Sequence, residues 1–492
     1  MNLTNMLNKR YWLILIIITA IAVFPRVIEV FNPYNYFFDP EQGVEYMVTK
    51  SIVIDHKVVL TAWQGGLGTF SKGPGFNYLL AIPFILAQGD PFGGRIFMLI
   101  ISILTVPLAF IFANRMLGLR TATIISFLLA ISPNLKDYAG GISPPFVIPL
   151  LTVFFIYFLF EALHGNKKFI PFLVFVVGLM THFEMAAAEV LLVLLILTGF
   201  ICLIKKTIPY RYYLLSIAAF ALSIFPLIIF DLTHNFYNVK GILNMFNAGS
   251  TQTSNYMSSG IGNLFANRIS VFGWNFVSTF SPNLIIWVIV LAVMLTGIFQ
   301  IIKDKKLMQE KKTFVLYLAL IPVFSFLSLM IYPGNTINQW WIVYLTVIYC
   351  FLLGTVLNYL WGKNKLRLLI IFVLSILSIA FFNRTLFIYR TQYVYAPATY
   401  IKEDQAIKFI FKEAKGNQFG IVVLSSRPQQ NYDYLIWWNG EKYSYQPYRT
   451  PKKTYYVIIE PNLIYETNST PGKLIMTTRL SDGFTIEKRL VN

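Results

Sequence analysis

The chain has 492 residues, of which 56% are hydrophobic and 13% charged, with a mean hydropathy of +0.62. That leaves too little polar surface to coat a water-soluble globule, so the composition excludes a soluble enzyme and specifies a polytopic membrane protein. The formal net charge of +18 would suit a nucleic-acid binder, but the basic residues fall in short clusters between apolar runs, which speaks against nucleic acid as a partner.

Lys9 and Arg10 precede the first apolar run, 11–31. This start has the look of a signal peptide, but its small-x-small step, Ala20-Ile21-Ala22, lies inside the run, so it reads as an uncleaved first helix. Further runs that span or nearly span a hydrocarbon core of about 30 Å follow at 73–89, 94–114, 120–135, 144–163, 169–182, 185–204, 212–232, 283–302, 314–332, 340–361 and 366–384. Basic loops at 115–120, 167–168, 205–211, 303–312 and 363–367 recur, from the second onward, after every second run, as cytoplasmic loops do. With Lys9 and Arg10 also cytoplasmic, parity closes only if one early segment does not cross. The segment 73–89 is short, opens on Gly73-Pro74-Gly75, contains Pro83 and ends in Gly89-Asp90-Pro91-Phe92-Gly93-Gly94. The expected fold is therefore an all-α polytopic membrane domain over 1–390, with about 11 crossings plus a re-entrant or interfacial helix.

The tail, 391–492, changes character. A helix-like stretch at 402–415 is followed by strand-like runs at 419–424, 432–438, 454–459 and 474–478, which predicts a small extracytoplasmic α/β domain. The same map places on the outer side the loop 32–72, the turns at Asp137 and His182, a long loop over 233–280 and the turn 332–335. Cys202 and Cys350 lie inside apolar runs and suggest neither a disulfide nor a cysteine metal site. In the tail, Trp437-Trp438 and the aromatics of 443–448 read either as core or as a surface that stacks on a sugar.

Most of the unusual polar residues fall on that outer side. Asp39-Pro40-Glu41-Gln42 is a helix start, with Asp39 as N-cap, proline at the first helical position and Gln42 closing a capping box. The helix that follows divides into an apolar face, Val44, Met47, Val48, Ser51 and Ile52, and a polar face, Glu41, Gln42, Glu45 and Thr49, as expected of an interfacial helix. Asp39 then reads either as a cap alone or as a catalytic carboxylate. Lys72, after a glycine-rich stretch from Gly65, is either a snorkelling anchor or a point charge for phosphate. His182 and Glu184 interrupt a long apolar region and are either a satisfied turn or a functional pair. Asp231 meets the negative end of a helix and has His234 three residues on as a local partner. A divalent-cation site combining these with His182 or Glu184 lacks any standard ligand spacing. Arg268, in the long outer loop, is a second candidate for phosphate.

Together these pieces resemble the type C membrane glycosyltransferases, in particular the family that includes protein O-mannosyltransferases and the aminoarabinose transferases of lipid A. The resemblance covers roughly residues 1–390. An acidic motif follows the first helix, where Asp39, Glu41 and Glu45 stand. Phe70-Ser71-Lys72-Gly73-Pro74-Gly75-Phe76-Asn77-Tyr78 is similar to the family's Lys-Pro-Pro-type motif, with Gly73 in place of the first proline. Phe230-Asp231-Leu232-Thr233-His234-Asn235-Phe236, and Asp90-Pro91 before Arg95, are similar to phrases of bacterial members. The chain departs from the family where a second acid is usual, since Asp137 stands several residues early. It also departs at Ser71, where aminoarabinose enzymes can carry a glutamate.

The resemblance implies a polyprenyl-phosphate-linked sugar as donor and a lipid, glycan or protein hydroxyl as acceptor at the plasma membrane. It further implies inversion with Asp39 as base, and Lys72 with Arg268 on the departing phosphate. No cofactor is certain from the sequence, and a divalent cation stays open. The rival reading, a lipid or polysaccharide flippase, would place ionisable residues near the bilayer midplane, whereas here they gather at one face.

Overall fold

The computed structural model describes residues 9–32, 36–62, 70–246, 261–281, 283–332, 337–363, 366–391, 399–451, 453–461, 463, 470–481 and 483–491. The glycine stretch 65–69 and most of the turn 332–335 lie outside the described residues. In chain order the helices are α1 (Lys9–Val30), α2 (Pro40–Val53), α3 (Gly75–Leu86), α4 (Pro91–Leu117), α5 (Leu119–Ala130) and the short α6 (Pro133–Asp137). Then come α7 (Ile148–Leu163), α8 (Ile170–Met180), α9 (Met185–Ile204), α10 (Tyr210–Ser223), α11 (Phe225–Thr233) and α12 (Tyr237–Phe246). They are followed by α13 (Ile261–Phe280), α14 (Leu284–Lys303), α15 (Gln309–Ile331), α16 (Tyr344–Trp361) and α17 (Arg367–Thr391). The tail holds α18 (Tyr400–Ala414), β1 (Gly420–Leu424), α19 (Gln430–Lys442), β2 (Thr454–Ile459), β3 (Lys473–Arg479) and β4 (Thr485–Leu490).

Among the described residues eight helices are long and apolar enough to cross a membrane: α1, α4, α7 with the turn before it, α9, and α14 to α17. The pair α10 and α11, bent by 70°, makes a ninth when counted as one span. The shorter apolar helices α5 and α8 occupy two more of the expected runs. α3, where a non-crossing segment was expected, has 12 residues and rises about 18 Å, well short of the hydrocarbon thickness. The protein is thus a multi-pass membrane protein, mostly helical, with a small C-terminal sheet.

Contacts between Cα atoms gather the chain into two compact units. The first comprises Met1–Val27, Val59–Phe76 and Phe97–Thr385. Its most enclosed span is α16, with 78% of its apolar window buried. Arg26 of α1 is fully buried and donates to the carbonyls of Leu129 and Ala130 at 3.1 and 2.9 Å, closing the C-terminal end of α5. The expected long loop over 233–280 is instead largely helical, holding α12 and α13. Buried Arg268, Val271, Asn275, Phe276 and Thr279 recur every three or four residues. That stripe makes α13 a packed helix, although its polar members break any continuous apolar run.

The second unit comprises Ile28–Val58, Asn77–Ile96 and Leu386–Asn492. Its sheet has the order β1-β2-β4-β3, with β1 and β2 parallel and the other pairs antiparallel. The segment 432–438, expected as a strand, is part of α19. α19 is buried on most sides, at Asn431, Tyr432, Tyr434, Leu435, Ile436, Trp438, Asn439 and Gly440, so tertiary packing overrides the strand preference of its aromatics. Of the tail aromatics Trp438 is core, its indole donating to the Gln88 carbonyl at 3.0 Å, whereas Tyr443, stacked on Phe411, and Tyr448 are exposed.

Candidate active site

In the second unit, an aromatic cluster fixes where α2 begins. Tyr36, Phe38 and Tyr46 meet Tyr400 and Tyr434 of the tail at ring-centroid distances of 4.9 to 6.2 Å. α2 itself lies against α19. A Cβ added at Gly43 would overlap the Gln430 carbonyl, so only glycine permits this approach. The faces of α2 divide as the sequence predicts, and the polar one is turned inward. Gln42, Glu45 and Thr49 are buried, while Met47 is exposed and Val44, Val48 and Ile52 are partly covered.

Asp39 is the N-cap of α2. Its Oδ1 accepts the Gln42 N–H at 2.9 Å and its Oδ2 accepts the Gln42 side-chain amide at 3.2 Å. Burial raises its pKa above the ordinary 3.8, outweighing the two Gln42 hydrogen bonds and the positive charge of Arg427. Glu45 is buried one turn further on, and its Oε2 accepts from the Asn77 amide at 2.6 Å. That bond ties α2 to α3, a holding role that needs no proton transfer. Glu41 is exposed on the first turn.

Arg427 belongs to a buried tail cluster that sequence reading missed. Its guanidinium lies 3.3 Å from both Glu403 and Glu460. Asn431 donates to Glu403 at 3.1 Å, and Tyr432 donates to Glu460 at 2.8 Å. Burial pushes the Glu403 carboxyl up to about 8, with Arg427 opposing. No local pattern in the sequence marks this cluster, because its members come from separate elements of the tail.

In the first unit, Lys72 lies on an extended strap over 71–74. The Ala62 N–H donates to the Lys72 carbonyl at 2.8 Å, and the Ser71 N–H donates to Asn238 Oδ1 at 2.7 Å. At the far end the Gly75 N–H donates to His182 Nδ1 at 3.2 Å, and His182 Nε2 lies 2.7 Å from the Ser223 carbonyl. Lys72 is half-buried, and among the described residues no carboxylate pairs with it.

The other expected residues take structural places. Asp137 pairs with Arg384 at 2.7 Å and Lys136 at 3.2 Å. Glu184 is the N-cap of α9, accepting the Ala186 N–H at 3.3 Å. Asp231 does not pair with His234: its Oδ1 accepts the Asn238 N–H at 2.8 Å, while His234 stacks on Phe230. Arg268, expected as a loop cation for phosphate, is fully buried in α13. Its guanidinium donates to the carbonyls of Leu329 and Tyr332 at 3.0 and 3.3 Å, at the C-terminal end of α15. Among the described residues no three His, Cys, Asp or Glu side chains converge as metal ligands. Both ring nitrogens of His182 are already engaged.

The bundle of membrane helices with a small C-terminal α/β layer is similar to the fold of type C membrane glycosyltransferases. Residues 71–230 match the family described as dolichyl-phosphate-mannose-protein mannosyltransferase. The structure is similar to that of ArnT from Cupriavidus metallidurans bound to undecaprenyl phosphate, with a TM-score of 0.64, 11% identity and 98% of each chain covered. The apo state of ArnT gives 0.62, with 11% identity and 96% and 97% covered. The apo oligosaccharyltransferase of Archaeoglobus fulgidus gives 0.51, with 13% identity over 87% of this chain and 64% of that one. No curated protein matches the chain by sequence.

Proposed function

We propose that the protein is an inverting glycosyltransferase of the plasma membrane. It moves a hexosyl or pentosyl group from a polyprenyl-phosphate donor to an acceptor hydroxyl on the outer face, where the tail domain also lies. The observation that carries this reading is Asp39, a half-buried carboxylate held in one orientation at a helix start, with its pKa raised above that of an ordinary aspartate. A carboxylate with raised proton affinity is a stronger base than an ordinary one.

In this reaction the acceptor oxygen attacks the anomeric carbon as its proton passes to Asp39. The bond from that carbon to the phosphate oxygen breaks, and polyprenyl phosphate departs. The phosphate gains one negative charge as it becomes a monoester, and Lys72 neutralises that developing charge. Direct displacement inverts the anomeric centre.

The test is to incubate the purified full chain with a radiolabelled polyprenyl-phosphate sugar and an extract of envelope lipids, glycans and proteins. Transfer of label, or slow hydrolysis of the donor when acceptor is withheld, supports the proposal. Translocation of intact donor across reconstituted vesicles without bond cleavage would replace the enzyme with a flippase.

A further inference from the structure

The strap that carries Lys72 is gripped by two buried side chains from distant parts of the first unit. Asn238, at the start of α12, takes the Ser71 N–H on its Oδ1. Its own N–H donates to Asp231 Oδ1 at 2.8 Å, so the aspartate at the end of α11 fixes the residue that fixes the strap. On the other side of Lys72, His182 takes the Gly75 N–H on Nδ1. Because Gly75 N–H can only donate and the Ser223 carbonyl can only accept, Nδ1 is the lone-pair nitrogen and Nε2 carries the proton. Accepting at Nδ1 requires the neutral ring, which matches the lowering of its pKa by burial against the opposing backbone contacts of Ser223 and Gly73.

The glycines on either side of Pro74 belong to the same device. A Cβ at Gly73 would run into the His182 ring, and one at Gly75 would come within 2.8 Å of the His182 Cβ. The strap therefore lies close against the His182 side chain only because both positions lack side chains. This gives a reason for Gly73 where the resembling motif has proline.

We propose that His182 and Asn238, the latter held by Asp231, are positioning residues that clamp the 71–75 strap so that the Lys72 ammonium is presented to the donor phosphate. The inference rests on the phosphate role given to Lys72 above. His182 is neither a metal ligand nor a proton carrier in this scheme, and Asp231 acts two steps removed from substrate. A lysine on an unanchored loop would have to be ordered each time the lipid phosphate arrived. The two hydrogen bonds supply that order beforehand.

The experiment measures binding of undecaprenyl phosphate to the purified full chain, together with KM and kcat for the donor, in Lys72→Met, His182→Ala, His182→Asn, His182→Gln and Asn238→Ala, with thermal unfolding as a fold check. Loss of one clamping hydrogen bond should weaken lipid-phosphate binding about three- to tenfold. The effect should fall on KM and, through the leaving group, on kcat. His182→Asn places an oxygen acceptor near the position of Nδ1 and should recover binding to within about threefold. His182→Gln keeps only the contact toward Ser223 and should not. Combining His182→Ala with Lys72→Met should weaken binding no further than Lys72→Met alone, since a clamp has nothing left to present. Full additivity in that double variant would overturn the positioning role, as would wild-type binding by both His182→Ala and Asn238→Ala. Wild-type binding by Lys72→Met would instead overturn the phosphate reading itself, and the clamp proposal with it.

Discussion

Substituting Asp39 by asparagine separates its two roles, because asparagine caps a helix about as well as aspartate does. In Asp39→Asn the side-chain oxygen can still accept the Gln42 N–H now held at 2.9 Å. The second contact, from the Gln42 amide at 3.2 Å to Oδ2, would face an NH2 group and be lost, at a cost of about 1 kcal/mol. Removal of a general base lowers the rate by about 10²- to 10⁴-fold, or roughly 2.7 to 5.4 kcal/mol in the barrier. Asp39→Ala removes the cap as well, adding about 0.5 to 2 kcal/mol of instability. The expected pattern is two variants equally inactive in transfer from a radiolabelled polyprenyl-phosphate sugar, of which only the alanine variant melts clearly lower than wild type. If Asp39→Asn retains more than about a third of wild-type turnover while melting normally, position 39 is a cap and nothing more. A base would then have to be sought elsewhere.

Three further expectations follow from the second unit. Arg427 helps hold Asp39 ionised, so Arg427→Met should raise the Asp39 pKa and move the acid limb of kcat/KM to higher pH; an unmoved limb would show that the limb belongs to another group. Glu403 has a carboxyl pushed up to about 8 against an ordinary 4.5, so the folded state holds a proton that the unfolded chain releases. Its contribution to stability is full below the ordinary carboxylate range and is lost as pH rises toward 8. Glu403→Gln should flatten that decline in a pH series of melting curves, and an unchanged slope would refute it. Gly43→Ala drives a Cβ into the backbone of Gln430 and should cost about 1 to 3 kcal/mol by overpacking; a melting temperature equal to wild type would mean that α2 and α19 can part without penalty.

The spans were legible because they obey a one-dimensional rule: a run of apolar residues long enough for hydrocarbon reads the same whatever packs around it. α13 escaped that rule since Asn267, Arg268 and Asn275 interrupt its run, and the partners of Asn267 and Arg268 come from tertiary structure. α19 was misread for the complementary reason. Its tyrosines and tryptophans prefer strands locally, while the packing that buries most of its sides comes from other parts of the unit. At the candidate site, Asp39 and Lys72 stood out as charges beside apolar segments. The groups that hold them did not, for Ser71 meets Asn238 across 167 positions and Gly75 meets His182 across 107. Asp231 and His182 were noticed as odd polar residues, but only three-dimensional structure turns them from metal candidates into hydrogen-bond partners of a strap.

The polar face of α2 turned toward protein governs how Asp39 is held. A helix at a membrane interface normally buries its apolar side, and the lipid then sets its depth but not its rotation. Here Glu45 bonded to Asn77, the fit of Gly43 against Gln430, and Tyr46 packed on Tyr434 at 4.9 Å fix rotation and axial position together. Those contacts join one short piece of the chain after the first span to another after α2 and to the C-terminal tail. The tail therefore belongs to the framework that orients Asp39, and the charge of Arg427 in that tail favours the ionised carboxylate. A domain that contributed only acceptor recognition would have no reason to press a glycine-sized contact into the helix that bears the carboxylate. One that also sets the orientation and proton affinity of Asp39 would.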